Sequence, residues 1–171
     1  MIKTLMGSIR DYMKVTIATP LLVLGEVICQ MMIPFITADM IDAIKDGTVT
    51  CIGTDHAPHT AEEKEKGAAG MVGLETAFGV CYTKLCKEEG LPLELLVHLM
   101  STRPAEILGL AKGRLEPGYD ADFVLVDLDT PYTVEKEKLH SKSHNCPYDG
   151  VQLYGKVCAT IKGGELTYQA D

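Results

Sequence analysis

The stretch from Val15 to Ile36 constrains this chain more than any other. It reads VTIATPLLVLGEVICQMMIPFI, with Glu26 and Gln30 as its interruptions and Pro20 and Pro34 near its ends. A run of this length matches a membrane span of roughly 20 residues. The other reading is a buried helix of a soluble domain. If the run spans, a Glu at mid-span must face a protein partner or a water-filled cavity. Lys3, Arg10 and Lys14 precede the run and Asp39 and Asp42 follow it, which favours a cytoplasmic N-terminus. A cleavable signal peptide fits poorly: Asp11 sits in the would-be basic region, and no small-x-small site closely follows the apolar core.

Beyond Asp42 the pattern changes. Thr48 to Thr54 holds Val49 and Ile52 and reads as a strand. Thr60 to Gly70 reads as a charged loop, and Gly73 to Glu89 as a helix carrying Leu74, Ala77, Phe78, Cys81 and Leu85 on one face. Gly90 stops that helix, and Pro92 opens a second with Glu94 in its first turn. A short helix then starts at Ser101–Glu106, with Ser101 or Thr102 as cap and Pro104 in the first turn. Further on, Phe123–Asp127 reads as a compact buried strand, and Tyr132–Val134 as another. Residues 150–158 and 159–168 read as paired strands, with Gly163-Gly164 as a hairpin turn.

The bulk numbers exclude several classes. A net charge of −8 argues against nucleic-acid binding. The six cysteines form no C-x-x-C pair, which argues against a zinc knuckle, and their irregular spacing without a secretory signal argues for free thiols in a reducing cytosol. No G-x-x-x-x-G-K-[ST] run occurs, which argues against nucleotide binding.

The densest chemistry is Thr54-Asp55-His56-Ala57-Pro58-His59, which follows the β-type run. A carboxylate with two imidazoles at a strand end suits metal and acid/base work, and parallel α/β barrels place catalytic groups there. At 171 residues the chain is too short for a whole (β/α)₈ barrel, which needs about 250.

These residues carry a resemblance. Lys45 to His59 resembles the last barrel strand of a dihydroorotase, one of the zinc-dependent amidohydrolases. Gly70-Met71-Val72-Gly73-Leu74-Glu75-Thr76-Ala77, Arg103-Pro104-Ala105 and Gly113 to Asp122 match that family in order and spacing. The resemblance implies an α/β fold: the C-terminal part of a (β/α)₈ barrel over residues 45–111, then a small β-domain over 112–171. It implies reversible hydrolysis of dihydroorotate to N-carbamoyl-L-aspartate in a cytoplasmic enzyme. It implies zinc as cofactor, with Asp55 as metal ligand and general base and acid. It implies His59 on the substrate carboxylate, and Ala69 and Gly70 against the substrate ring. His56 reads as a packing or loop-ordering residue, His98 as structural, and His140 and His144 as having no ligand spacing. Ala69 stands where relatives commonly carry an aromatic residue. The family's H-x-H zinc pair does not occur in the sequence, so the chain alone is expected to be inactive.

Residues 1–44 read as an apolar helical segment able to span a membrane, and residues 1 to about 42 have a different resemblance. The apolar helix, Ile33-Pro34-Phe35 and Ala38-Asp39-Met40-Ile41-Asp42 are similar to the first transmembrane segment of an ABC-type exporter. The two resemblances meet at Ile41–Gly47, so the chain reads as a join of unlike segments. The alternative function is therefore a truncated exporter segment fused to a non-catalytic amidohydrolase remnant, held at a membrane through Val15–Ile36.

Overall fold

The computed structural model describes residues 12–170, so Lys3, Arg10 and Asp11 lie outside the described residues. The chain forms two compact units, divided between Thr48 and Val49.

Among the described residues the first unit holds one helix, α1 (Met13–Lys45). It runs past both ends of the apolar stretch and includes Pro20 and Pro34. Its mean hydropathy is 1.9 over the most apolar window, and none of that window is buried. The polar side chains along it bond locally. Thr16, Thr19 and Thr37 donate to the carbonyls four residues back, and Gln30 Nε2 donates to Glu26 Oε1 at 3.2 Å. At the far end Gly47 takes φ +82, the left-handed conformation that commonly terminates helices.

The second unit begins with chain that belongs to no helix or strand. The strand expected over Thr48–Thr54 does not form, which corrects the sequence reading. The Ile52 amide donates to the Leu99 carbonyl at 3.0 Å, so a helical segment takes the place of a neighbouring strand. A strand exists only as a paired element. The loop that follows carries one isolated parallel bridge, His56 to Met71. The segment read as a loop holds a short helix, α2 (Ala61–Glu65). Its signal was legible: Thr60-x-x-Glu63 is a capping box, and both reciprocal hydrogen bonds are present.

The next helix starts later than the apolar spacing suggests, as α3 (Ala77–Cys81). It continues through wider π-type turns over Tyr82–Glu88, and Gly90 ends it with φ +71. After Pro92, α4 (Leu93–Val97), π-type turns over His98–Thr102 and α5 (Arg103–Ile107) run on without a break. Thr102 therefore does not cap a new helix. It sits at helical φ −61, ψ −52, and its hydroxyl donates to the Gly113 carbonyl at 2.9 Å. Leu96 and Leu99 are the most deeply buried large side chains, at 1% and 2% exposure. His98 lies on the exposed face.

The β-region forms two small sheets. β1 (Phe123–Asp127), β4 (Lys156–Lys162) and β5 (Glu165–Gln169) pair antiparallel in the order β1-β4-β5. β2 (Tyr132–Thr133) pairs with β3 (Gln152–Leu153). The Gly163-Gly164 turn has φ +58 and +82, as a two-residue type I′ hairpin requires. Two sequence readings change here. The paired strands are 156–162 and 165–169, and residues 152–153 pair with β2 instead. β1 is not a buried strand: Phe123, Val124 and Leu125 are 37–54% exposed. It is an edge strand with one partner, and its continuous apolar run is left uncovered over Phe123–Leu125 by the described residues.

The β-region docks on α3 and on the π-type turns that continue it through close contacts. A side chain at Gly155 would meet the Phe78 ring at 2.9 Å, and the Tyr154 amide donates to Thr83 Oγ1 at 2.8 Å. Gly79 faces the Tyr132 hydroxyl.

Candidate active-site loop

Thr54 to Gly73 folds back on itself. The Ala57 amide donates to the Met71 carbonyl at 2.9 Å, and His56 Nδ1 accepts the Gly73 amide at 3.0 Å. His56 thus orders the loop, as its position beside Asp55 suggested. Gly73 lies against the Thr54 carbonyl, where a Cβ would come within 3.0 Å. Both arms of the loop are therefore brought together, with Asp55, His59 and Gly70 on it.

Asp55 has φ +45 and is the non-glycine residue in the left-handed region among the described residues. For an L-residue that conformation costs about 1–2 kcal/mol, and strain of this kind clusters at functional sites. Its carboxylate is exposed and takes part in no hydrogen bond or ion pair among the described residues. An unengaged carboxylate on a strained, exposed turn is available to a ligand.

His59 is half-buried, with Nδ1 3.4 Å from Glu63 Oε2. The Thr60 amide and hydroxyl bond to the Glu63 carboxylate and hold its pKa below the usual range, with His59 adding to the effect. Gly70 has φ +128, and a Cβ there would meet the Ala57 carbonyl oxygen at 2.7 Å and His59 Cδ2 at 3.1 Å. Only glycine fits so close a backbone approach. Ala69 is exposed beside it.

A second segment reaches this loop from the β-region. Asn145 Nδ2 donates to the Gly70 carbonyl at 2.8 Å, and Ser143 Oγ donates to the His59 carbonyl at 2.6 Å. Ser143 Oγ also touches Asn145 Oδ1. Glu75 anchors the same segment, accepting the His140 and Ser141 amides at 2.8 and 3.0 Å. Burial raises the Glu75 pKa, but the His140 and Ser141 donors outweigh it and leave the carboxyl below its ordinary value. Glu75, Ser143 and Asn145 were not legible as site residues. Their partners lie 65 to 84 positions away, beyond the reach of local periodicity.

The remaining motif residues lie elsewhere in the unit. Arg103 and Arg114 both bind Glu106, at 3.2 and 2.7 Å, and Gly113 packs on the Ser101 carbonyl. Lys112 bridges Asp120 and Asp122, while Asp122 Oδ1 accepts the Gly163 amide at 2.7 Å. These pairs tie the helices and the hairpin turn together.

A zinc centre needs three or four protein ligands. Among the described residues no three His, Cys, Asp or Glu side chains converge on a common point. Asp55 can supply one oxygen ligand, and the described residues by themselves do not complete a zinc site.

The family model for the Amidohydrolase family matches residues 35–167. The chain belongs to the amidohydrolase family. The dihydroorotase of Clostridium botulinum is 53% identical to this amidohydrolase over 131 residues, covering 77% of this chain and 33% of that one. The dihydroorotase of Lactiplantibacillus plantarum is 46% identical over 136 residues, covering 77% and 32%. Among solved structures, the L-hydantoinase (dihydropyrimidinase) of Arthrobacter aurescens superimposes with a TM-score of 0.71 at 30% identity, covering 76% of this chain and 31% of that one. This amidohydrolase therefore spans about a third of the length of the relatives it matches.

Proposed function

We propose that residues 49–170 supply one wall of a dihydroorotase active site, for reversible hydrolysis of dihydroorotate to N-carbamoyl-L-aspartate. The observation that carries this reading is the loop itself. It presents an exposed, strained and unengaged Asp55 on the same folded-back turn as His59 and the side-chain-free backbone at Gly70. The similarity to proteins named dihydroorotase supports the choice among cyclic amides.

In this reading Asp55 takes the proton of the attacking water and returns it to the leaving amide nitrogen. His59 donates to the substrate carboxylate, a charge-assisted contact that orients the ring. The backbone at Ala69–Gly70 lies against the ring, and Gly70 is glycine because a Cβ there would press on Ala57 and His59 and distort the loop. The enzyme portion is read as cytoplasmic. The zinc that the family implies requires ligands beyond those the described residues bring together, so the 171-residue chain alone is inactive.

The test is a hybrid enzyme in which residues 49–170 replace the matching third of the Clostridium botulinum dihydroorotase. Hydrolysis of dihydroorotate is measured against an Asp55→Ala hybrid as background. Turnover that vanishes in the Asp55→Ala hybrid supports the reading; equal turnover in both defeats it.

A second reading concerns α1. We infer that it crosses a membrane, because it is long, apolar on every side and exposed throughout its apolar stretch. A helix apolar all round is either buried in protein or set in lipid. The local bonds of Thr16, Thr19, Thr37 and the Glu26–Gln30 pair reduce the polar surface it offers to lipid. Cell fractionation decides: recovery of the whole chain in the soluble pool argues against a span.

A further inference from the structure

We propose that Ser143 and Asn145 are positioning residues for the substrate loop, fixing the carbonyls of His59 and Gly70 and thereby the two groups that face the substrate. The substrate class, a cyclic amide bearing a carboxylate, rests on the dihydroorotase reading above.

Glycine has the widest backbone freedom of any residue, so a glycine that must lie against a ligand needs restraint from outside. Gly70 has two such restraints on one atom. Its carbonyl oxygen accepts from Asn145 Nδ2 at 2.8 Å and from Lys64 Nζ at 2.9 Å. Lys64 lies on α2, within the loop, and moves with it. Asn145 belongs to the β-region and refers the loop to a separate part of the unit.

The other arm is held from the same segment. Ser143 is 7% exposed, although its neighbours Lys142 and His144 are exposed. Its hydroxyl donates to the His59 carbonyl at 2.6 Å, which sets the backbone from which the imidazole projects. The Val72 amide donates to the Asn145 carbonyl at 3.3 Å, adding a third point on the loop.

The strap is itself anchored. Glu75 holds the His140 and Ser141 amides, and His144 Nδ1 bonds the Lys136 carbonyl at 2.8 Å. A displaced loop therefore has to break these contacts instead of carrying the strap with it. Two arms of the loop, separated in sequence by α2, are thus registered against one short segment.

The first arm of the test uses the full 171-residue chain and hydrogen–deuterium exchange read by mass spectrometry. Asn145→Leu removes the amide donor without adding charge; Ser143→Ala removes the hydroxyl and Ser143→Thr keeps it. Asn145→Leu and Ser143→Ala are expected to speed exchange of peptides within 55–73 about tenfold, with Ser143→Thr near the starting rate and the β4–β5 hairpin unchanged. Unchanged loop exchange in Asn145→Leu overturns the proposal. Faster exchange across the loop and hairpin alike also overturns it, because the residues then serve general stability.

The second arm uses the hybrid enzyme. Asn145→Leu is expected to raise KM for dihydroorotate about tenfold with kcat within about twofold, because the chemistry at Asp55 is untouched. A loss confined to kcat overturns the positioning role. A hybrid that shows no turnover with the unmodified segment removes the dihydroorotase reading, and the exchange arm then decides the strap alone.

Discussion

The Glu75 carboxylate receives the backbone amide of His140 at 2.8 Å, although the two residues lie 65 positions apart. One oxygen also meets His140 Nδ1 at 3.0 Å, and the other takes the Ser141 amide. The turn that leads into α3 is thereby pinned to the segment carrying Ser143 and Asn145. Glu75→Ala is expected to destabilise the chain by about 0.5–1.5 kcal/mol, because two solvent-accessible amide donors exchange a charged acceptor for water. Urea unfolding measures it, with the midpoint falling at an unchanged slope.

The same contact sets a pH dependence. Glu75 has a folded-state pKa below its ordinary 4.5. A carboxylate shifted down stabilises the fold above its unfolded pKa, and the contribution is lost as pH falls through the folded value. Stability attributable to Glu75 is therefore present at pH 6 and declines below about pH 4.5. Glu75→Gln is expected to flatten that part of the urea-midpoint profile. A profile equally steep in both chains contradicts the assignment.

Asp55 at φ +45 predicts a trade between stability and function. Asp55→Gly relieves the left-handed strain and is expected to stabilise the chain by about 0.5–1 kcal/mol, after the entropy cost of glycine. In the hybrid enzyme the same change abolishes turnover. A destabilised Asp55→Gly chain would mean that the carboxylate holds the loop instead of serving a ligand.

Gly113 and Gly70 are both closed to side chains by backbone. A Cβ at Gly113, with φ +77, would meet the Ser101 carbonyl at 2.8 Å and Thr102 Cα at 2.9 Å. Gly113→Ala is expected to cost about 2 kcal/mol or more, since neither strain nor clash can be relieved by a rotamer change. Gly70→Ala is expected to cost a similar amount and also to separate Ala57 from Met71, seen as faster amide exchange at Ala57.

Metal binding provides a separate check. The 171-residue chain dialysed against zinc is expected to retain well under one equivalent, because Asp55 offers a single ligand and tight sites use three or four. Without metal activation the attacking water stays as weak an acid as bulk water, out of reach of a carboxylate base. Elemental analysis and a dihydroorotate assay measure the two outcomes. Stoichiometric zinc with turnover lost in Asp55→Ala would show that the chain assembles a complete centre, for example across copies.

The sequence determined the local elements whose causes are local. The apolar run dictated α1, Pro92 and Gly90 bracketed α4 and the end of the α3 segment, and Gly163-Gly164 dictated the hairpin turn. It also placed Asp55, His59 and Gly70 on one loop, because they lie within a few turns of chain. Tertiary structure decided the rest. Whether Thr48–Thr54 became a strand depended on a neighbour, and the Leu99 carbonyl took the place a strand would occupy. Whether β1 was buried depended on a covering layer, and an edge strand has one partner. The strap from His140 to Asn145 was invisible in sequence. A hydrogen bond between residues 75 positions apart leaves no periodicity, and only the folded chain brings Asn145 to Gly70.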